Sequence, residues 1–214
     1  MNCAIVLAAG MSRRMGTQKL LLPFGGKTVI SHIVDQIAGS VVDKIIVVAG
    51  RESDKVREQL SGRDVSIVIN PDCGAEMLSS VRCGIRVLLQ QCEGVLVVLG
   101  DQPGITTDLI NEMVNAFKVA AKGIVAPVCQ GKRGHPILFS SRYCNEILTR
   151  YEDLGLRGLA ETHADDVFEL NVSSTAVLSD MDCPEDYKRE LSRLQEDGAV
   201  SSITRWLCGG GAQP

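Results

Sequence analysis

Short runs of consecutive apolar, β-branched residues alternate along the chain with longer stretches in which apolar positions recur at helical spacing. The runs predict strands at Asn2–Leu7, Lys44–Ala49, Val65–Ile69, Val95–Leu99, Ile124–Val128, Pro136–Phe139 and Val167–Val172. The periodic stretches predict helices over Val29–Ala38, Asp54–Leu60, Leu78–Gln90, Thr107–Ala121, Ser141–Arg150, Gly158–His163 and Pro184–Leu194. Ile45-Ile-Val-Val-Ala49 and Val95-Leu-Val-Val-Leu99 are apolar throughout, as strands covered by helices on both faces are. Such alternation indicates an α/β domain around a mainly parallel sheet. The segment Cys129-Gln-Gly-Lys-Arg-Gly134 reads as a turn between neighbouring strands, so some antiparallel pairing is expected. After Asp197 the pattern dissolves; residues 1–197 are expected to form one domain and 198–214 a C-terminal tail.

Composition narrows the class. The 214 residues, 45% apolar and 22% charged, are those of an ordinary globular chain with a substantial core. No apolar run approaches the roughly 20 residues that span a bilayer, and the start lacks the pattern of a secretory signal. A soluble cytoplasmic protein with no membrane partner is the expectation. With 26 acids against 22 bases the net charge is −4, which argues against a nucleic-acid partner. Eight cysteines without a C-x-x-C pair are expected to be mostly free thiols packed as small hydrophobes.

In α/β sheets ligands collect beyond the carboxyl ends of the strands, so the residues just after each strand carry the functional information. The first strand runs into Ala8-Ala-Gly-Met-Ser-Arg-Arg-Met-Gly-Thr-Gln-Lys19. Small residues let successive backbone N–H groups line a concave anion site, and Arg14 and Lys19 add full positive charge, a combination suited to polyphosphate. Gly25-Gly-Lys-Thr28 echoes the end of a P-loop but lacks its earlier glycine and does not follow the first strand. Gly100-Asp-Gln-Pro-Gly104 ends the fourth predicted strand; its Asp101 suits a divalent cation shared with phosphate oxygens, or a turn or helix cap. Asp182, just before Pro184 and Glu185, is a second carboxylate for that cation, an N-cap, or both.

Read as an ordered set, Leu7-Ala-Ala-Gly-x-Ser-x-Arg-Met-Gly-x-x-Lys19, Asn70-Pro71, Met77 with Ser79-Ser80, Gly100-Asp-Gln-Pro103, Gly131-Lys-Arg-Gly-His-Pro136, Gly155-Leu-Arg157 and Asp182-Cys-Pro-Glu-Asp-Tyr187 resemble the molybdenum cofactor nucleotidyltransferases, most closely their cytidylyltransferase branch. The resemblance covers residues 2 to 190 and implies a three-layer α/β/α sandwich, the Rossmann-like nucleotidyltransferase fold. It implies transfer of a nucleoside monophosphate from NTP to the terminal phosphate of molybdopterin, with release of diphosphate. Ala8 and Ala9 stand where guanylyl relatives tend to carry Ala-Gly, which favours CTP over GTP.

On this reading Arg14, Lys19 and Asp101 are catalytic, and Asp101 and Asp182 hold Mg²⁺, with Mn²⁺ as the alternative. The nucleotide lies against Leu7, Ala8, Ala9, Gly10 and Ser12, with Ser79 and Ser80 either contributing to it or capping their helix. His135 is assigned to acceptor binding, with a structural role as the alternative, and a molybdenum hydroxylase is the expected client. His32 and His163 read as ordinary surface or core residues. Three positions depart from the family pattern: Glu76 for Gly, Cys183 for Thr, and Glu152-Asp153 for Gly-Asp. Competing readings are a guanylyltransferase, a transferase acting on a sugar or polyol phosphate, and a non-catalytic cofactor carrier.

Overall fold

The computed structural model describes residues 1–10, 12, 15–72, 76–88 and 92–208, with side chains as far as 196. In chain order the elements are β1 (Asn2–Ala8), β2 (Pro23–Phe24), β3 (Lys27–Thr28), α1 (Val29–Ala38), β4 (Lys44–Ala49), α2 (Ser53–Gln59), β5 (Ser66–Ile69), α3 (Met77–Leu88) and β6 (Gly94–Leu99). There follow α4 (Thr107–Val119), β7 (Ile124–Cys129), β8 (Lys132–Arg133), β9 (Ile137–Ser140), α5 (Cys144–Thr149), α6 (Gly155–Thr162), β10 (Val167–Asn171) and α7 (Pro184–Cys208).

The main sheet has the order β10-β7-β9-β6-β1-β4-β5, with β8 paired to β7. Pairing is parallel for β1 with β4 and β6, β4 with β5, and β10 with β7. β9 is inserted antiparallel between β6 and β7, which is the interruption expected from the turn after Cys129. That turn is tighter than the sequence suggests. Lys132 pairs back onto Cys129, and the two intervening residues, Gln130 and Gly131, both take positive φ, as a two-residue I′-type hairpin requires.

Side chains alternate across the sheet and divide the core in two. Ala4, Val6 and Ala8 of β1 face Ile30, Ile33 and Ile37 of α1 and Ile110 and Met113 of α4. Cys3 and Ile5 face Val81 and Ile85 of α3, Ile147 of α5 and Leu159 of α6. Helices therefore cover both faces, giving the three layers. Each fully buried Ile or Leu in these layers contributes roughly 1.5–3 kcal/mol. Among the described residues no helix is long and apolar enough to cross a membrane.

Several boundaries differ from expectation. The short ribbon β2–β3 occupies the P-loop-like stretch, and its Gly25 and Gly26 supply positive φ at the turn. α6 begins at Gly155, so Gly155-Leu-Arg157 is its first turn. α7 runs to Cys208, beyond both the expected end at Leu194 and the residue where the apolar pattern fades. Its first half packs against the body: the Tyr187 hydroxyl donates to the Pro23 carbonyl at 2.6 Å, and Leu191 and Leu194 join the α1–α4 core.

Most of the described cysteines are free, as expected, with one pair excepted. Cys3 of β1 and Cys92, two residues before β6 begins at Gly94, form a disulfide with Cα atoms 6.0 Å apart, β1 and β6 being neighbouring parallel strands. Cys83, Cys129, Cys144 and Cys183 are free, and Cys129 and Cys144 are buried as packed thiols.

Candidate active site

Three chain segments meet beyond the carboxyl ends of β1 and β6. The first is the loop after β1. Ser12 holds it closed: its hydroxyl donates to Gln18 Oε1 at 2.7 Å and accepts the Lys19 N–H at 3.1 Å, while its carbonyl accepts the Met15 N–H at 3.0 Å. To do so Ser12 adopts φ 46°, a left-handed conformation costly for a residue with a Cβ. The bonds set the start of a 3-10 turn, Lys19–Leu21, and so aim the Lys19 side chain inward. Arg14 lies outside the described residues.

The second segment is Gly100–Gly104. The Gly100 N–H donates to the Leu7 carbonyl at 3.0 Å, and a Cβ at Gly100 would lie 2.6 Å from that same oxygen. Only glycine permits the approach, so Asp101 emerges directly from the buried end of β6. The third segment is Ser179–Cys183. Met181, fully buried, donates its N–H to the Asp101 carbonyl at 3.0 Å and brings Asp182 alongside.

These constraints converge on one ammonium. Lys19 Nζ lies 2.5 Å from Asp101 Oδ2 and 2.9 Å from Asp182 Oδ1, and the lysine side chain is only 11% exposed. Burial by itself lowers the pKa of Lys19, but the charge and hydrogen bonds of Asp101, joined by those of Asp182, outweigh it and hold the pKa above its ordinary value. Just beyond Asp182 in the chain, the Asp186 carboxylate accepts the N–H groups of both Asp182 and Cys183 at 3.0 Å and also the Cys183 thiol. The carboxylate of Asp182 thus faces the site while its backbone is satisfied by another residue.

Lys19, Asp101 and Asp182, all singled out from sequence, are therefore brought together. Ala8 and Ala9 are buried beneath the first loop, and Ala9, Gly10 and Ser12 line a cleft of about 470 Å³ with Gly16, Gln18 and Arg51. Leu7 contributes its carbonyl to Gly100. Ser79 and Ser80 at the start of α3 both accept from the amide of buried Asn70, each at 2.9 Å. This bond fixes α3 to the end of β5 and holds both hydroxyl oxygens in place.

His135 lines a second, larger cleft of about 780 Å³, with Met77, Leu154, Lys132, Arg133 and Arg157 among its walls. Its N–H donates to the Val177 carbonyl at 2.9 Å, and Gly134 passes so close that a Cβ there would fall 2.2 Å from the same oxygen. Burial pushes the imidazole pKa down, with Asp101 opposing, and among the described residues the buried Nδ1 has no hydrogen-bond partner.

Sequence reasoning missed Gln102 and Asp180. Buried Gln102 donates its amide to Asp180 at 2.8 Å, a second tie between the segments that carry Asp101 and Asp182. Burial, with the charge of Asp101, raises the Asp180 pKa. The alternation Asp180-Met-Asp182 was the available signal: two acids flanking an apolar residue that packs inward.

Asp101 and Asp182 present oxygen donors only, which suits Mg²⁺ or Mn²⁺. Among the described residues no group of three or more His, Cys, Asp or Glu side chains is placed to hold a metal ion. Two carboxylates completed by phosphate oxygens and water are the usual way proteins bind Mg²⁺ with a nucleotide, so the residues present fit such an ion.

A family model described as MobA-like NTP transferase domain matches residues 4–167. The chain is 26% identical over 193 residues to the molybdenum cofactor cytidylyltransferase of Escherichia coli K12, covering 90% of this chain and 96% of that one. In structure it is similar to the homologue of Mycobacterium tuberculosis Rv0371c from Mycobacterium sp. strain JC1, with TM-score 0.79, 28% identity, and coverage of 91% of this chain and 97% of the other. It is similar too to Rv0371c of Mycobacterium tuberculosis H37Rv in complex with manganese, with TM-score 0.76, 27% identity, and coverage of 89% and 98%. Since the matched span runs from β1 to the first residue of β10 and carries Lys19, Asp101 and His135 with it, the chain belongs to the MobA-like NTP transferase domain family and is a nucleotidyltransferase.

Proposed function

We propose that the protein transfers CMP from CTP to the terminal phosphate of a molybdopterin-type acceptor and releases diphosphate. The observation that carries this reading is the convergence of Lys19, Asp101 and Asp182 on one point, in a molecule that also has two clefts. One is lined by the glycine-bearing loop after β1, the other by His135 and the cations Lys132, Arg133 and Arg157. A nucleotide in the first and a phosphorylated acceptor in the second would meet at Asp101.

Ala8, Ala9 and Gly10 leave room for the nucleotide to lie against backbone, and Ala8-Ala9 in place of Ala-Gly supports CTP over GTP. The relative's name, molybdenum cofactor cytidylyltransferase, supports the same base and acceptor. Asp101 and Asp182 would hold Mg²⁺, or the Mn²⁺ present in the mycobacterial relative, and when bound the cation supplies Lewis-acid neutralisation of charge on the phosphate oxygens.

The chain's own residues do the rest. Lys19 and Arg14 would stabilise the departing diphosphate. His135, held neutral by burial, offers one ring nitrogen as donor and one as acceptor, and so can orient the acceptor without adding charge. Met77 and Leu154, each about half exposed (51% and 53%), give the second cleft apolar walls for a flat ring beside its cations. A phosphate monoester is largely ionised at neutral pH, so attack at the α-phosphorus needs no protein base. The enzyme would work in the cytoplasm, its product serving a molybdenum hydroxylase.

The test is incubation with molybdopterin, Mg²⁺ and α-labelled CTP or GTP. Label should pass to molybdopterin from CTP, with stoichiometric diphosphate. Transfer from GTP alone reverses the base assignment, and no transfer to molybdopterin from either nucleotide removes the acceptor.

A further inference from the structure

The Lys19 ammonium stands where two segments of the chain deliver carboxylates to a single point. Its backbone is pinned by Ser12 at 3.1 Å, and its side chain is nearly enclosed. The carboxylates cannot drift apart to serve two cations separately, because Met181 ties the Asp101 backbone to the residue preceding Asp182 and Gln102 adds a second tie through Asp180. An ammonium and a divalent cation make the same demand on this pair: both need the oxygens of Asp101 and Asp182 at short range. Two positive charges held together there repel strongly. Lysine, however, is a point charge on a flexible stem, and the cleft beside Ala9 and Gly10 opens next to its 3-10 turn.

We propose that Lys19 is a displaceable counter-cation: it keeps a lone divalent cation off Asp101 and Asp182 and gives up the pair when a triphosphate offers its ammonium another anionic partner. Metal and nucleotide then bind as a unit, each strengthening the other, as linkage between two sites requires. The same contact explains how two carboxylates stay in cation-ready positions in the free protein, since the ammonium offsets their mutual repulsion. The inference rests on the metal-dependent transfer proposed above, and it concerns the order of binding, which that reading leaves open.

The test is titration of the nucleotide-free protein with Mn²⁺ alone, with free Mn²⁺ read by electron paramagnetic resonance. Wild type should bind weakly. Lys19→Met should bind at least about tenfold more tightly, a typical size for a coupling between neighbouring sites, and Asp101→Asn should bind more weakly than either. Equal or weaker binding by a folded Lys19→Met overturns the counter-cation role. Binding by Asp101→Asn as tight as by Lys19→Met overturns the metal site itself, so the two failures are distinguishable.

If Lys19→Met does not fold, the lysine ammonium resonances of ¹⁵N-labelled wild type decide the matter. Mg²⁺ alone should leave the Lys19 signal in place, and Mg²⁺ with CTP should move it. Displacement by Mg²⁺ alone as readily as by the pair overturns the proposal.

Discussion

The Met181 amide donates to the Asp101 carbonyl at 3.0 Å, and this backbone bond fixes the separation of the two carboxylates that share Lys19. Met181 is fully buried in the α1–α4 core, so hydrophobic packing on one face of the sheet positions acidic chemistry at its end. The spacing of these carboxylates is thus inherited from the core.

Asp101→Asn keeps the shape of the side chain and removes its charge. Turnover should fall by about 10²–10³-fold, the scale seen when one preorganised electrostatic contact is lost, while the far-UV circular dichroism spectrum stays that of wild type. Asp182→Asn should fall less, because its side chain is 35% exposed against 19% for Asp101 and water can stand in for part of its role. Steady-state rates of diphosphate release check both; an unchanged rate in Asp101→Asn excludes it from the site.

His135→Gln should raise the KM for the acceptor and leave CTP affinity unchanged, since His135 lines only the larger of the two clefts. Burial depresses its pKa below the ordinary 6.5, so protonation favours the unfolded chain. Its contribution to stability is therefore intact above pH 6.5 and is lost as the pH falls through the lower, folded value. Thermal midpoints of wild type and His135→Gln, compared from neutral to mildly acidic pH without metal, should show wild type losing ground to the variant on the acidic side.

How much of this was legible in sequence follows from what each feature depends on. The inner strands β1, β4, β6 and β7 announce themselves because burial on both faces demands apolar runs such as Val95–Leu99, whereas the part-exposed edge strands β5 and β10 show only a mixture of apolar and polar residues. Asp101 stood out as an acid at the end of such a run, Lys19 as a charge in the glycine-bearing loop after another, and Asp182 as a second acid just before a helix. The ribbons β2–β3 and β8 are too short to show a period. The Gln102–Asp180 pair was hidden because the two residues lie 78 apart along the chain and become neighbours only when the sheet forms. The Cys3–Cys92 bridge was hidden likewise, its two halves brought together across a sequence separation of 89 only when β1 and β6 become neighbours. The far end of α7 places Val200, Ile203 and Leu207 at helical spacing, a signal in the sequence that the expected end at Leu194 left unused.

Gly134→Ala tests the packing that seats His135. The added Cβ would lie 2.2 Å from the Val177 carbonyl oxygen, which is backbone and cannot rotate away. The bond from His135 N–H to that oxygen must then lengthen or the segment around Val177 must shift. Overpacking of this kind costs about 1–3 kcal/mol, to be read from the midpoint of urea unfolding, and acceptor KM should rise with it. A variant of wild-type stability shows that the two segments are free to separate.

Asp35 offers a test of the scaffold away from the site. Its carboxylate receives Arg63 as a fork, Nε at 2.6 Å and Nη2 at 3.1 Å, and Lys27 at 2.6 Å, tying α1 to the chain after α2 and to the β2–β3 ribbon. The Arg63 hydrogen bonds, with those of Lys27 and against some burial cost, depress its pKa from 3.8 to about 2. A depressed carboxylate stabilises the fold fully above its unfolded pKa and loses that contribution as the pH falls through the folded one. With 32% of the side chain in water, the contribution is discounted to about 1 kcal/mol. Asp35→Asn should therefore be less stable than wild type by about that amount at neutral pH. The gap should close as the pH is lowered from 3.8 to 2, because wild type is then protonated at the same position. Urea unfolding of both proteins across that range measures it, and a gap that persists at the acid end would assign the effect to the shape of the fork rather than to its charge.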